Sequence, residues 1–223
     1  INKIHLLHWH KGLLHKIKMT PTELNLRFAI GNHVQFKEIA DGMIVAEVAN
    51  QHALANIVLQ GAHVATFQPR GEEPVIWLSP DAQFKPGKSI RGGVPVCWPW
   101  FGAHKNDSKL PAHGFARTVP WQIFETRALP DGSTFLRFGL VESDATRAQW
   151  PHPATLQLEV TVAKTLRLEL VTHNAGSSAF ELGEALHTYF QVSDVAKITI
   201  RGLEDCEYLD KVRDFARFTQ QDG

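Results

Sequence analysis

The sequence predicts an all-β fold, a large antiparallel β-sandwich, on three observations. Apolar residues alternate with period two from Val34 onward, short β-branched or aromatic runs are bounded by polar or glycine positions, and a single stretch carries helix signals. Ahead of that pattern, Ile1 to Lys18 starts without Met and holds four of the twelve histidines, His5, His8, His10 and His15. It has neither the compact apolar stretch nor the cleavage site of a secretory signal, so it reads as a non-native or upstream extension, with Met19 as the start. The neighbours of these histidines give no folded context for a metal site.

Residues 43–49 (MIVAEVA), 54–59 (LANIVL) and 62–67 (AHVATF) then read as strands of a meander, punctuated by Asn50, Gln51 and Gly61. Leu136, Phe138 and Leu140 alternate in the same way. After Ser143 as a candidate cap, residues 144–150 (DATRAQW) form the one predicted helix, stopped by Pro151 and Pro153. Leu156, Leu158, Val160 and Val162, then Leu166, Leu168 and Leu170, predict a hairpin with one buried face and a turn near 163–165. Ile198 and Ile200 extend the pattern. No linker or repeat divides residues 19–223, which read as one domain.

The chain of 223 residues balances 23 Lys and Arg against 23 Asp and Glu. With no basic cluster, a nucleic-acid or membrane-surface partner is not expected, because both need a concentrated positive field. No apolar run approaches the roughly 18 residues that span a bilayer. Cys97 and Cys206 stand outside any CxxC or zinc spacing, which fits a reducing, cytoplasmic setting.

Two irregular segments interrupt the strands, at 86–102 (PGKSIRGGVPVCWPWFG) and 111–120 (PAHGFARTVP). Loops on a β scaffold are where sites are usually carried. Arg91-Gly92-Gly93 is either an anion-compatible corner, with glycines admitting a ligand to the backbone, or a surface arginine beside a tight turn. Residues 94–102 pack three aromatics among two prolines, as a wall for a sugar ring or as a core plug. His113 and Arg117 flank a glycine and could position a sugar oxygen together with an anion. His187, in LHTYF, is either a general acid or a satisfied core imidazole.

Taken together, residues 89–102 (SIRGGVPVCWPWFG), 110–121 (LPAHGFARTVPW), 145–152 (ATRAQWPH), 186–190 (LHTYF) and 208–211 (YLDK) occur in the order and approximate spacing of one family. From about Val34 to Gly223 the chain resembles the hexose-6-phosphate mutarotases, the glucose-6-phosphate 1-epimerase branch of the aldose 1-epimerase, galactose mutarotase-like superfamily. The resemblance implies interconversion of the α and β anomers of a hexose 6-phosphate, most simply glucose 6-phosphate, with no metal or organic cofactor and a small sugar phosphate as the partner. By similarity His187 is the catalytic acid toward the ring oxygen, and His113 binds and polarises the sugar. Arg91 and Arg117 contact the 6-phosphate, and Asp210 accepts hydrogen bonds from ring hydroxyls.

Ala112 departs from relatives that carry a polar side chain before the histidine. The family's general base is a glutamate well after the DK motif, and no residue up to Gly223 matches it, so the chain reads as truncated at its C-terminus. Glu184 is not given the role, because strand alternation sets it opposite His187. Two alternatives follow: a truncated or inactive sugar-phosphate-binding module, and an aldose 1-epimerase acting on unphosphorylated sugars.

Overall fold

The computed structural model describes residues 19–221; the leader and its four histidines lie outside the described residues. The described residues open on a helix that the strand pattern does not predict, α1 (Pro21–Phe28). Thr20 caps it in a reciprocal box with Glu23, and Pro21 occupies the first turn, where its missing N–H costs nothing. Only Leu24 of its eight residues is buried. The helix is docked through Asn25, whose Nδ2 donates to the Phe36 carbonyl (2.8 Å) and whose Oδ1 accepts the Phe36 N–H (2.7 Å).

A four-stranded antiparallel meander follows, in the order β1 (Val34–Glu38), β2 (Ile44–Ala49), β3 (Ala53–Val58) and β4 (His63–Pro69). Next comes the two-residue β5 (Val96–Cys97) inside the first irregular segment. The second meander consists of β6 (Trp121–Ala128), β7 (Thr134–Leu140), β8 (Ala154–Val162) and β9 (Leu166–Asn174). The predicted helix falls between β7 and β8 as α2 (Asp144–Gln149), capped by Ser143. Leu158 of β8 faces Leu170 of β9 in register, so the predicted hairpin forms with its turn at 163–165.

Inward positions of both sheets meet in one core that includes Phe36, Ile57, Leu136, Phe138, Leu156 and Leu158. Asn50 ties the layers together. Its buried amide Nδ2 donates to Thr134 Oγ1 (3.0 Å) and the Val162 carbonyl (2.8 Å), while its Oδ1 accepts the N–H groups of His52 and Ala53. No donor of that amide is left unpaired, which is what burying it requires.

Beyond the sandwich, β10 (Ala185–Leu186) pairs with β5, and β11 (Glu207–Asp210) pairs with β12 (Ala216–Thr219). Ile198 and Ile200 do not continue the strand pattern as the alternation predicts. They follow a 3₁₀ turn in a segment paired with no strand among the described residues, and both side chains are exposed. Period two is a necessary mark of a half-buried strand, but without a neighbour to receive the hydrogen bonds it does not make one.

Candidate active site

Three pieces of chain are laced together at one end of the fold. The Gly93 N–H donates to the Trp77 carbonyl (2.7 Å), Trp77 donates to Tyr189 (2.9 Å), Tyr189 to Gly93 (3.0 Å), and His187 to Pro95 (3.0 Å). These bonds fix the residues after β10 alongside the segment that carries Arg91. The glycines of Arg91-Gly92-Gly93 therefore serve the fold. Both have positive φ, and a Cβ would meet the Trp77 carbonyl oxygen at 2.7 Å from Gly92 and His63 Nε2 at 2.2 Å from Gly93. Arg91 itself is exposed, and no hydrogen bond or ion pair engages its side chain among the described residues.

The second irregular segment is locked onto the first at His113-Gly114. Gly114 has φ +71°, and a Cβ there would lie 1.9 Å from the Trp98 carbonyl oxygen, so only glycine fits. That close approach lets Phe115 and Ala116 donate to the same carbonyl (3.1 and 3.3 Å). His113, also at positive φ (67°), donates its backbone N–H to the Gly102 carbonyl (2.7 Å) and accepts the Gly102 N–H at Nδ1 (3.2 Å). With Nδ1 an acceptor, the neutral ring carries its proton on Nε2.

His113 and His187 face each other with ring centroids 5.9 Å apart and planes nearly perpendicular. Both are half-buried. Phe101 contacts both rings, at 4.8 and 6.2 Å, and Tyr189 stacks on His187 at 5.0 Å. Burial holds the His113 pKa below its ordinary value, and the nearby charges of Arg117, His187 and Lys211 push it the same way. Its ring is thus a neutral donor near pH 7.

The guanidinium of Arg117 donates from Nη2 to the Ala112 carbonyl (2.9 Å), while its buried Nε has no partner. Its charge also acts on Cys97, whose thiol burial nonetheless pushes up. An unsatisfied buried donor on a cation is costly unless something else supplies an acceptor. An anion would.

Asp210 ends β11. Its carboxylate accepts the Val212 N–H (2.9 Å) and pairs with Arg213 (3.5 Å), closing its own turn. The link from this segment to the site is its neighbour Lys211, through its charge on His113. Glu184 is likewise engaged elsewhere: Trp98 Nε1 donates to Thr172 Oγ1 (3.1 Å), whose hydroxyl donates to Glu184 Oε2 (3.1 Å). A cavity of about 440 Å³ beside α1, lined by Leu24, Ile44, Trp121 and Ile123, contains none of the five predicted site residues.

Phe101, Tyr189 and Lys211 were not singled out by the sequence. Tyr189 sits two residues beyond His187 in extended chain, so period two could have placed both rings on one side. Phe101 lay within the aromatic segment already noted. Lys211 lies in the 208–211 motif, but no role was assigned to it there.

Two packed antiparallel sheets with the chemistry-bearing side chains on connecting loops define a mutarotase-like β-sandwich. The fold matches a galactose mutarotase related enzyme from Lactobacillus acidophilus (TM-score 0.54, 19% identity, 74% of this chain and 53% of that one). It matches a provisionally named mutarotase from Salmonella typhimurium more closely (TM-score 0.80, 39% identity, 88% and 64%). A protein of Escherichia coli K12, provisionally named glucose-6-phosphate 1-epimerase, is 44% identical over 183 residues, 82% of this chain and 60% of that protein. The aldose 1-epimerase family model matches residues 45–223, and the chain belongs to that family. It spans about three fifths of the length of that E. coli relative. No helix among the described residues is long and apolar enough to cross a membrane.

Proposed function

We propose that this chain holds a hexose 6-phosphate, glucose 6-phosphate first among them, and takes part in interconverting its α and β anomers by ring opening and closure. The observation that carries the reading is the facing pair His113 and His187, one ring fixed as an Nε2–H donor and both reachable from solvent. The name of its Escherichia coli relative points to the same substrate, and that of the Salmonella typhimurium structure to the same kind of reaction.

In the step proposed, His187 gives a proton to the ring oxygen while a base removes the proton of the anomeric hydroxyl. The bond between C1 and the ring oxygen breaks and leaves an aldehyde. Rotation about C1–C2 presents its other face, and the proton transfers reverse as the ring closes. His113 donates from Nε2 to a sugar oxygen and sets the sugar against His187. Arg117, with its unpaired Nε, and the unengaged Arg91 take the phosphate, since guanidinium donors suit a dianion. Asp210 accepts from ring hydroxyls with the lone pairs that Val212 and Arg213 leave free. Glu184 accepts from Thr172 and Asp210 pairs with Arg213, and these engagements favour a second reading: the chain binds the sugar phosphate without turning it over.

Exchange NMR on the two anomers of glucose 6-phosphate separates the readings. Anomer exchange faster than the buffer blank, reduced about 10²-fold or more in H187Q, supports the acid role. Exchange equal to the blank with a ligand-induced rise in Tm selects binding alone, and no rise rejects both. Anomer exchange of glucose that is as fast as that of glucose 6-phosphate, and that R91A and R117A leave largely unchanged, marks an unphosphorylated sugar as the substrate.

A further inference from the structure

The two facing histidines are oriented by different means. The ring of His113 is fixed at a nitrogen, where Nδ1 accepts the Gly102 N–H (3.2 Å). Such a bond sets the ring plane and the tautomer together, and it uses up that nitrogen. His187 is held first by its backbone. Its N–H donates to the Pro95 carbonyl (3.0 Å), and the Thr188 N–H returns to the Leu186 carbonyl (2.9 Å), which makes His187 the middle residue of a three-residue turn. The imidazole then meets the face of Tyr189, with ring centroids 5.0 Å apart and planes 20° from parallel.

That face is itself well anchored. Tyr189 donates its N–H to the Gly93 carbonyl (3.0 Å) and accepts the Trp77 N–H at its own carbonyl (2.9 Å), so both of its backbone groups are clamped. The phenol ring also lies against Trp77, at 6.0 Å and 37°. Its place is thus set by the same lacing that fixes the segment carrying Arg91. A stack of this kind confines the imidazole to one plane through contact between faces, and it engages neither ring nitrogen. Those conditions suit a group that gives up a proton and regains it in every turnover: the N–H needs a fixed direction, and the nitrogens must stay available.

We infer that Tyr189 is the positioning residue of His187, and that its aromatic face, not its hydroxyl, fills the role. The inference rests on the reading of His187 as the acid toward the ring oxygen. Proton transfer runs along the N–H bond, in the plane of the imidazole, so a ring free to turn presents that bond to the sugar only part of the time. Holding the sugar phosphate falls to His113 and the arginines, so loss of the stack slows the chemistry and leaves binding in place.

Exchange NMR on glucose 6-phosphate at several concentrations, with the whole chain, gives kcat and KM for the parent, Y189L and Y189F. The proton spectrum of the His187 ring, assigned by its loss in H187Q, reports the stack directly. In Y189L, kcat falls about tenfold while KM stays within about twofold, and the upfield shift that the phenol ring current imposes on the His187 ring protons disappears. Y189F keeps the ring and restores both rate and shift. Far-UV circular dichroism checks the fold of Y189L; Y189M replaces it if it does not fold, and if neither folds, Y189F and the parent's ring shift decide. A parent no faster than buffer overturns the acid reading and this inference with it. With a faster parent, the inference alone is overturned if Y189L matches it, if the loss in Y189L lies only in KM, or if Y189F is as slow as Y189L. Unshifted His187 ring protons in the folded parent overturn it as well.

Discussion

At the scale of single residues, the site depends on which nitrogen of His113 holds the proton and on whether the ring is charged. The Gly102 N–H occupies Nδ1, and burial with three neighbouring positive groups disfavours the imidazolium. A pKa lowered in the fold means the neutral form extends below the ordinary histidine range. The His113 ring is therefore expected to titrate by NMR with a midpoint below 6.5, the value for an unperturbed ring. R117A should move the midpoint up only part of the way, because burial is the larger cause. A midpoint at or above 6.5 would contradict the neutral-donor role. His113 and Arg117 stood out in the sequence because they sit in a segment too irregular for a strand, and His187 stood out within the 186–190 motif that carries the resemblance. Asp210 also holds a turn with Val212 and Arg213, a contact that residue type does not reveal.

At the scale of elements, the strands were legible where one face is buried and a neighbour is in register, as in β2, β3, β7 and β8. The helix α1 was not, because one buried leucine in eight residues leaves no apolar stripe to read, and its capping box was the signal overlooked. Ile198 and Ile200 show the opposite error, a strand pattern with no strand beside it. The His113-Gly114 turn joins the two loop segments by backbone contact, which period and composition do not encode. G114A tests how firmly. An alanine there must hold φ near +71° and move the Trp98 carbonyl, with which its Cβ would collide. The expected cost is about 3 kcal/mol in urea unfolding, together with loss of sugar-phosphate binding as His113 shifts. A loss below about 1 kcal/mol would mean that the two segments are not locked at this point.

At the scale of the molecule, the sandwich and the site share one buried imidazole. His63 on β4 is 2% exposed, its Nε2 has no partner, and Gly93 packs against it where the chain leads from Arg91 toward β5. Burial alone lowers its pKa to about 4 from 6.5. Such a ring is neutral in the folded protein at pH 7, whereas the unfolded chain takes up its proton as the pH falls through 6.5. Its contribution to stability is therefore complete above pH 6.5, declines between 6.5 and about 4, and levels off below. The loss across that window is on the order of 3 kcal/mol. Carboxylates and His113 also titrate under acid, so the measurement that isolates His63 is the difference between the protein and H63L. Replacing an unpartnered imidazole by an apolar side chain removes no hydrogen bond, so the two should agree within about 1.5 kcal/mol at pH 8. As the pH drops toward 4, urea unfolding should show H63L gaining on the parent, and parallel curves would mean that His63 is already protonated, or solvated, within the fold.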